Sequence, residues 1–267
     1  DGSIATGAAV SVMLIRAGVS PIATLPIAFL AGALAGMVTG LLNTALGIPG
    51  ILASILTQIS LYSINLNIMG KANQPVSVDN YPLVVSLRYV TDGSVSRLLF
   101  FLGMIVFLLA LIAVMYWYFG TEQGHAIRAT GCNGNMARAQ GINTNFIKVL
   151  ALMISNGLVG LCGALYGQFQ GASDVNMGRG AIVIGLAAVI IGEVLFGKFA
   201  SKRKLAFAFT LASVILGAVI YYMVYQFVLW LKMPSEDMKL FSAIVVAIFL
   251  AIPYLKEKRT LRKGASK

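Results

Sequence analysis

Asn43, Thr44, Gln58, Asn65, Asn67, Asn156 and Gln168 are uncharged polar residues set within or beside long apolar stretches of this chain. Amides and hydroxyls in such surroundings either pair with a neighbouring segment or face a wet cavity, because an unpaired one is costly in an apolar medium. Taken singly, each reads as a structural pair. Taken together, Asn43, Thr44, Gln58, Asn65, Asn156 and Gln168 favour a hydrogen-bonding path for a polar solute over an inert anchor.

Bond-making chemistry finds less support. His125 stands alone, and Cys132 and Cys162 are too few and too separated for a metal site or a disulfide framework. No paired carboxylates, histidine cluster or Ser/His grouping falls in the apolar runs, which argues against a membrane-embedded enzyme. Gly192 to Lys198 reads GEVLFGK and fits the first seven positions of a phosphate-binding loop. Phe199 at the eighth has no hydroxyl for magnesium, however, and an apolar helical run precedes the motif in place of a strand. The chain is not expected to hydrolyse ATP itself, and no cofactor is implied. Glu193 is the one acid deep in a run after the first residue. It reads as a partner for Lys198 near a helix end, with a proton- or sodium-coupling carboxylate as the rival role.

The elements that must carry these residues are membrane spans. The 267 residues are 58% hydrophobic and 11% charged, with mean hydropathy +0.87, far more apolar than a soluble domain with about 25% charged residues. Apolar runs extend over Ile22 to Leu42, Ile51 to Met69, Leu98 to Phe119, Ile147 to Gln168, Gly180 to Phe196, Leu205 to Leu231 and Leu240 to Leu255. Each is near the roughly 20 residues a helix needs to cross hydrocarbon, where only internally bonded backbone is tolerated. The fold class expected is an all-α integral membrane protein, a polytopic bundle with broken helices. Ile4 to Ile15 is too short to span and reads as the end of a broken or truncated helix. Because the chain starts at Asp1 without Met, further helices are expected upstream. Residues 1–255 are read as one membrane domain and 256–267 as a basic tail.

Basic residues set the orientation. If the runs alternate and the tail is cytoplasmic, the inner loops collect Arg128, Arg138, Lys148, Lys198, Lys202, Arg203, Lys204 and the tail cations, against Glu122 and Glu257. The outer loops hold Arg16, Lys71, Arg88, Arg97, Arg179, Lys232 and Lys239, offset by Asp79, Asp92, Asp174, Glu236 and Asp237. This asymmetry follows the positive-inside rule. The net charge of +11 then reflects topology and attraction to membrane lipid, and no nucleic acid partner is needed.

Gly32, Gly36 and Gly40, extended back to Ala28, share one helix face. Gly163, Gly167 and Gly171, beside Gly160 and Ala164, share another. Small-residue faces let helices approach closely in lipid, within one subunit first and at a subunit interface or moving gate as the alternative. Asn43 to Gly50, NTALGIPG, breaks two runs at Pro49.

The inner loop 120–146 is the most informative stretch. Asn133 or Asn135 can cap a short helix over Met136 to Gln140, and Gly141 supplies the left-handed residue that ends it. Ala137 and Ile142 offer a small apolar face, with Arg128 and Arg138 for charge. Such an element suits docking to a cytosolic partner, or equally lying at the membrane interface.

The pattern R-A-x-G-x-N-x-x-x-A-x-x-x-G-I-N, Arg128 through Asn143, resembles the cytoplasmic coupling loop of ABC importer permeases of the branched-chain amino acid and ribose type. The opening DGSIATGA resembles their D-L-S-x-G segment. LAAVIIGEVLFG, Leu186 to Gly197, resembles their late A-A-V-V-I-G-G helix, with Glu193 in place of the second glycine. The nearest likeness is to the subgroup for tryptophan or related amino acids. The resemblance implies a permease subunit in a bacterial-type inner membrane that works with a second permease subunit, as a homodimer or heterodimer, with cytosolic ABC ATPase subunits and an extracytoplasmic solute-binding protein. It assigns Arg128, Gly131, Asn133, Ala137, Gly141 and Ile142 to the coupling element, and the loop from Gly70 to Arg97 to receiving the binding protein. The rival class is an ion-coupled secondary transporter using Glu193 or Asp174.

Overall fold

A computed structural model describes residues 1–76, 81, 83–86, 94–200, 206–230 and 247. The expected last run Leu240–Leu255 apart from residue 247, the tail 256–267, the cations at 202–204 and the outer-loop charges Asp79, Arg88, Asp92, Lys232, Glu236, Asp237 and Lys239 lie outside the described residues. The helices are α1 (Gly2–Arg16), α2 (Pro21–Thr44), α3 (Gly50–Met69), α4 (Ser94–Phe119), α5 (Glu122–Cys132), α6 (Gly134–Ala139), α7 (Thr144–Gln170), α8 (Ala181–Ala200) and α9 (Ala206–Trp230). Two short strands, β1 (Asn73–Pro75) and β2 (Ala172–Asp174), complete the described elements. Five helical stretches are long and apolar enough to cross a membrane, namely Pro21–Thr44, Gly50–Met69, Arg97–Phe119, Thr144–Gln170 and Phe207–Phe227. The run from Gly180 forms a shorter apolar helix over Ala181–Phe196.

The described residues form two compact units, 1–111 with 117–179, and 112–116 with those from 180 onward. The first is organised around α1. This 15-residue helix reaches only about 22 Å at 1.5 Å per residue, yet Ala8, Ala9, Val12 and Ile15 are fully buried. Ile4–Ile15, too short to span, lies at the centre of the unit, and its small residues explain why. A Cβ on Gly7 would lie 1.9 Å from the Gly160 carbonyl oxygen, and one on Gly163 would lie 2.0 Å from that of Ile4.

The glycine faces of α2 and α7 pack against each other. Cβ atoms added at Gly32 and Gly36 would meet the carbonyl oxygens of Asn156 and Leu152, each at 2.2 Å, and one at Gly40 would meet Val149. Ascending positions on α2 meet descending ones on α7, so the two are antiparallel. Ser3, Gly7 and Ser11 of α1 meet Asn156, Gly160 and Gln168 in ascending order, so α1 runs parallel to α7 and begins near its middle. Packing within one chain, the role expected for these faces, therefore accounts for them. Gly171 is the exception: it is the left-handed cap of α7 with φ 67° and does not take part in that face.

β1 and β2 pair antiparallel, Asn73 opposite Asp174 and Pro75 opposite Ala172. This ladder ties the loop after α3 to the loop after α7, placing both at one end of the bundle. Arg16 at the end of α1 bonds Gln74 there. In the second unit, α8 and α9 pack through Gly192 and Gly217, whose added Cβ atoms would strike the carbonyl oxygens of Ser213 and Ala188. Glu193, which replaces the family's second glycine, is exposed and leaves this contact intact. The Lys198 side chain expected to pair with it lies outside the described residues.

Candidate functional site

Four of the six polar residues expected along a path are taken up by their own fold. Asn43 Nδ2 donates to the Ile48 carbonyl at 2.8 Å and closes the Pro49 turn. Thr44 Oγ1 donates back to Gly40. Asn156 accepts from Ser3 Oγ at 2.7 Å and donates to Leu152. Gln168 is buried and acts as a hub: Nε2 donates to Ser11 Oγ, Thr24 Oγ1 and the Pro21 carbonyl, while Oε1 accepts from the Val84 amide. Helices α1 and α2 and the segment 83–86 are thereby joined through one side chain. Asp174, named as a coupling acid for the rival class, is likewise occupied: its carboxylate accepts from the Asn176 amide at 2.7 Å and from Asn73.

Gln58 and Asn65 differ. Both line a cleft of roughly 280 Å³ bounded by α3, the start of α1 and the turn 175–179. Helix α3 is unusually polar for a span, with Ser54, Thr57, Gln58, Ser60, Tyr62, Ser63, Asn65 and Asn67 along 20 residues. Ala53, Thr57, Leu61, Asn65 and Met69 form its buried stripe at four-residue spacing. Thr57 is satisfied by Ala53 and Thr39. Asn65, fully buried, has neither amide atom hydrogen-bonded. Leaving such an amide unpaired costs about 1–3 kcal/mol.

The facing wall is built by the turn from Asp174 to Gly180. Asp174 caps it, Arg179 N–H donates to the Asn176 carbonyl at 2.9 Å, and Gly180 leaves it with φ 87°. Gly178 sits against the start of α1, where an added Cβ would lie 2.1 Å from the Asp1 carbonyl oxygen. Asn176 Oδ1 is also buried without a partner, and Tyr62 and Arg179 complete the lining. The legible trace of this turn was NMGRG, two glycines flanking an arginine.

At the opposite end of the bundle from the β ladder lies the loop 120–146. Thr121 caps α5 and accepts from the Gly124 amide. Gly124 fits tightly, since a Cβ there would meet Phe119 Cα at 2.4 Å. Asn133 caps α6, its Oδ1 accepting from the amides of Asn135 and Met136 at 3.1 Å. Gly141 has φ 85° and the Ile142 amide returns to the Ala137 carbonyl. The expected capped helix is therefore present with its expected terminator.

Its outward face is not the expected one. Ala137 is 2% exposed, turned into its own chain, and Ile142 is half-buried. An alanine on the inner side of a short helix anchors that helix to its own chain. The exposed apolar side chain is Met136 at 59%, flanked by exposed Asn135, Arg138, Ala139 and Gln140. Arg138 donates to Thr144 Oγ1 at 2.9 Å, fixing α6 to the start of α7. Arg128 and Gly131 are exposed on α5. Residues 192–198, the apparent phosphate-binding motif, are the interior of α8 rather than a loop.

Helices of this length and apolar character mark a multi-pass helical membrane protein. The chain belongs to the family described as branched-chain amino acid transport system / permease component, which it matches over residues 1–253. It is similar to the tyrosine transport system permease protein of Clostridioides difficile (strain R20291), 39% identical over 251 residues, 94% of this chain and 79% of that protein. It is also similar to the uncharacterized protein RP368 of Rickettsia prowazekii (strain Madrid E), 30% identical over 94% of this chain and 85% of that protein. A third relative is the autoinducer 2 import system permease protein LsrC of Yersinia pseudotuberculosis serotype O:3 (strain YPIII), 28% identical over 88% of this chain and 62% of that protein. No solved structure matches the chain.

Proposed function

We propose that the chain is the permease subunit of an ATP-driven importer for an amino acid. Cytosolic ABC ATPase subunits dock on the loop 120–146, a second copy of the permease completes the transmembrane unit, and an extracytoplasmic solute-binding protein delivers solute at the β-ladder end. The observation that carries this reading is the construction of the loop. Helix α6 is capped at both ends, anchored inward by Ala137 and by Arg138 on Thr144, and left with Met136 exposed. A rigid element presenting one large apolar side chain among polar ones suits a groove on a partner. The tyrosine transport relative supports an amino acid as solute.

In this arrangement residues 1–255 are the membrane domain, the basic tail 256–267 is cytoplasmic, and the membrane is of the bacterial inner type. The apolar exposed side chains of α4, such as Leu98, Leu102, Ile105 and Leu109, meet lipid. Movement of the ATPases is transmitted through Arg138 and Thr144 to α7, and from α7 through the glycine seam to α1 and α2. Gln58 and Asn65 line the route of the solute, while Asn43, Thr44, Asn156 and Gln168 hold its walls.

Proteoliposomes holding the permease with its ATPase and binding protein test the reading. Uptake should survive collapse of proton and sodium gradients and stop without ATP, and Glu193→Gln should keep most of it. Gradient-driven uptake that ignores ATP and is abolished by Glu193→Gln would establish the secondary-transporter class instead. In a background lacking Cys132 and Cys162, cysteine placed at Lys71 should label from outside only and cysteine at Gln123 from inside only.

A further inference from the structure

Helix α4 is the least embedded of the described spans: no residue from Arg97 to Phe119 is buried. A second cleft, of roughly 420 Å³, opens beside it within the first compact unit. Leu25 of α2, Leu165 of α7, Val85, and Leu99, Gly103, Met104 and Phe107 of α4 line it. Among the described residues, no charged, amide or hydroxyl side chain does so. Leu25 lies in the second turn of α2 and Leu165 near the end of α7, and both ends face the β ladder. The cleft therefore sits in one leaflet of the membrane. From Leu99 to Phe107 it follows α4 for about 12 Å, close to the roughly 15 Å of hydrocarbon in one leaflet.

Gly103 supplies an independent observation. The glycines of α2 and α7 each crowd a neighbouring helix with an added Cβ, whereas one on Gly103 would meet nothing within 4 Å. Glycine is disfavoured in a helix interior, and no contact among the described residues requires it here. What the glycine keeps open is the cleft itself. A void beside hydrocarbon forfeits the dispersion contacts of its lining. Water needs polar partners that these side chains do not offer, and a polar solute would lose its hydration without replacement. A lipid chain is apolar throughout, slender, and already present at that depth. We infer that an acyl chain of a membrane phospholipid, from the leaflet at the β-ladder end, occupies this cleft and packs α4 against α2 and α7. Helix α4 leads straight into the loop 120–146, where Gly124 is pressed against Phe119, so the seated chain also steadies the helix from which that loop starts. The inference depends on the membrane spans and not on the solute, and stands apart from the amino acid import reading.

The test uses the assembled importer in nanodiscs of phosphatidylethanolamine and phosphatidylglycerol, a fraction of which carries a photoactivatable diazirine midway along one acyl chain. Labelled residues are mapped by mass spectrometry. Leu25, Leu165 and Met104 should take the label at least fivefold more than Ile105 and Leu109, which are more exposed on α4 and meet only passing lipid. Gly103→Phe, whose side chain fills the cleft, should cut labelling of Leu25 and Leu165 at least fivefold, leave that of Leu109 unchanged and keep the melting temperature of the parent. Labelling of the parent that simply follows exposure, with Ile105 and Leu109 ahead, overturns the inference, and that result needs no variant to fold. Undiminished labelling of Leu25 and Leu165 in a folded Gly103→Phe complex overturns it as well. In a background lacking Cys132 and Cys162, Met104→Cys that links two permease copies through a short bismaleimide would put a second copy in place of the lipid. Displacement of the label from Leu25 by added L-tyrosine or L-leucine would make the cleft part of the solute route, again against the inference.

Discussion

Met136 offers the sharpest test of how the loop couples. Its side chain is 59% exposed on α6, and the proposed arrangement covers that surface with the ATPase groove. Full burial of a methionine side chain is worth about 1.5–3 kcal/mol, so covering the exposed fraction contributes about 1–2 kcal/mol. Because about 1.4 kcal/mol is tenfold in affinity, Met136→Ser should weaken ATPase binding roughly 5- to 20-fold. The substitution leaves the loop folded: the Asn133 cap acts on the Met136 backbone amide, and the Ala137 anchor is untouched. Titration of the ATPase subunit onto the permease in lipid nanodiscs reads the affinity directly. Ala137→Arg is the internal contrast, because it forces bulk and charge into a buried position and should disorder the loop, seen as new protease cleavage between 120 and 146. ATPase affinity within twofold of the parent for Met136→Ser, with the loop intact, would refute Met136 as the anchor.

Further outcomes are expected elsewhere. Gly141→Val has open space around the added side chain, so its cost is the left-handed backbone alone, about 1–2 kcal/mol; ATPase binding should fall several-fold with membrane insertion unchanged. Gly160→Ala would place a Cβ 2.6 Å from the Ala28 carbonyl oxygen, and overpacking of this kind costs about 1–3 kcal/mol, read as a lower melting temperature in detergent. Gln168→Leu removes the acceptor of the Val84 amide and the donor to Ser11, Thr24 and Pro21. Stability should drop by about 1–3 kcal/mol, with segment 83–86 becoming the first site of proteolysis.

Much of the architecture was legible because lipid imposes simple rules. Apolar length gave the spans, the four-residue glycine spacing gave the seam between α2 and α7, and Asn133 with Gly141 gave the capped helix of the inner loop. Each is a local property, fixed by side chains a few residues apart. The family likeness of Arg128 to Asn143 added a role that spacing alone left open.

The direction in which a side chain points is not local. Ala137 and Met136 are neighbours in sequence, yet one is buried and the other exposed, because packing of α6 against its own chain sets the helix rotation. The polar residues were equivalent in sequence, each an amide or hydroxyl in or beside an apolar run. Tertiary structure separated them: Gln168 meets Ser11, Thr24 and Val84 from three distant segments, while Asn65 meets no partner at all. The sequence by itself determined a multi-pass helical membrane protein, its glycine contact faces and its capped loop, since burial in lipid and backbone propensity act over one or two turns. Only the tertiary structure decided which polar groups are satisfied and which wait in a cleft, because hydrogen-bond partners for residues in different helices exist only once those helices are brought together.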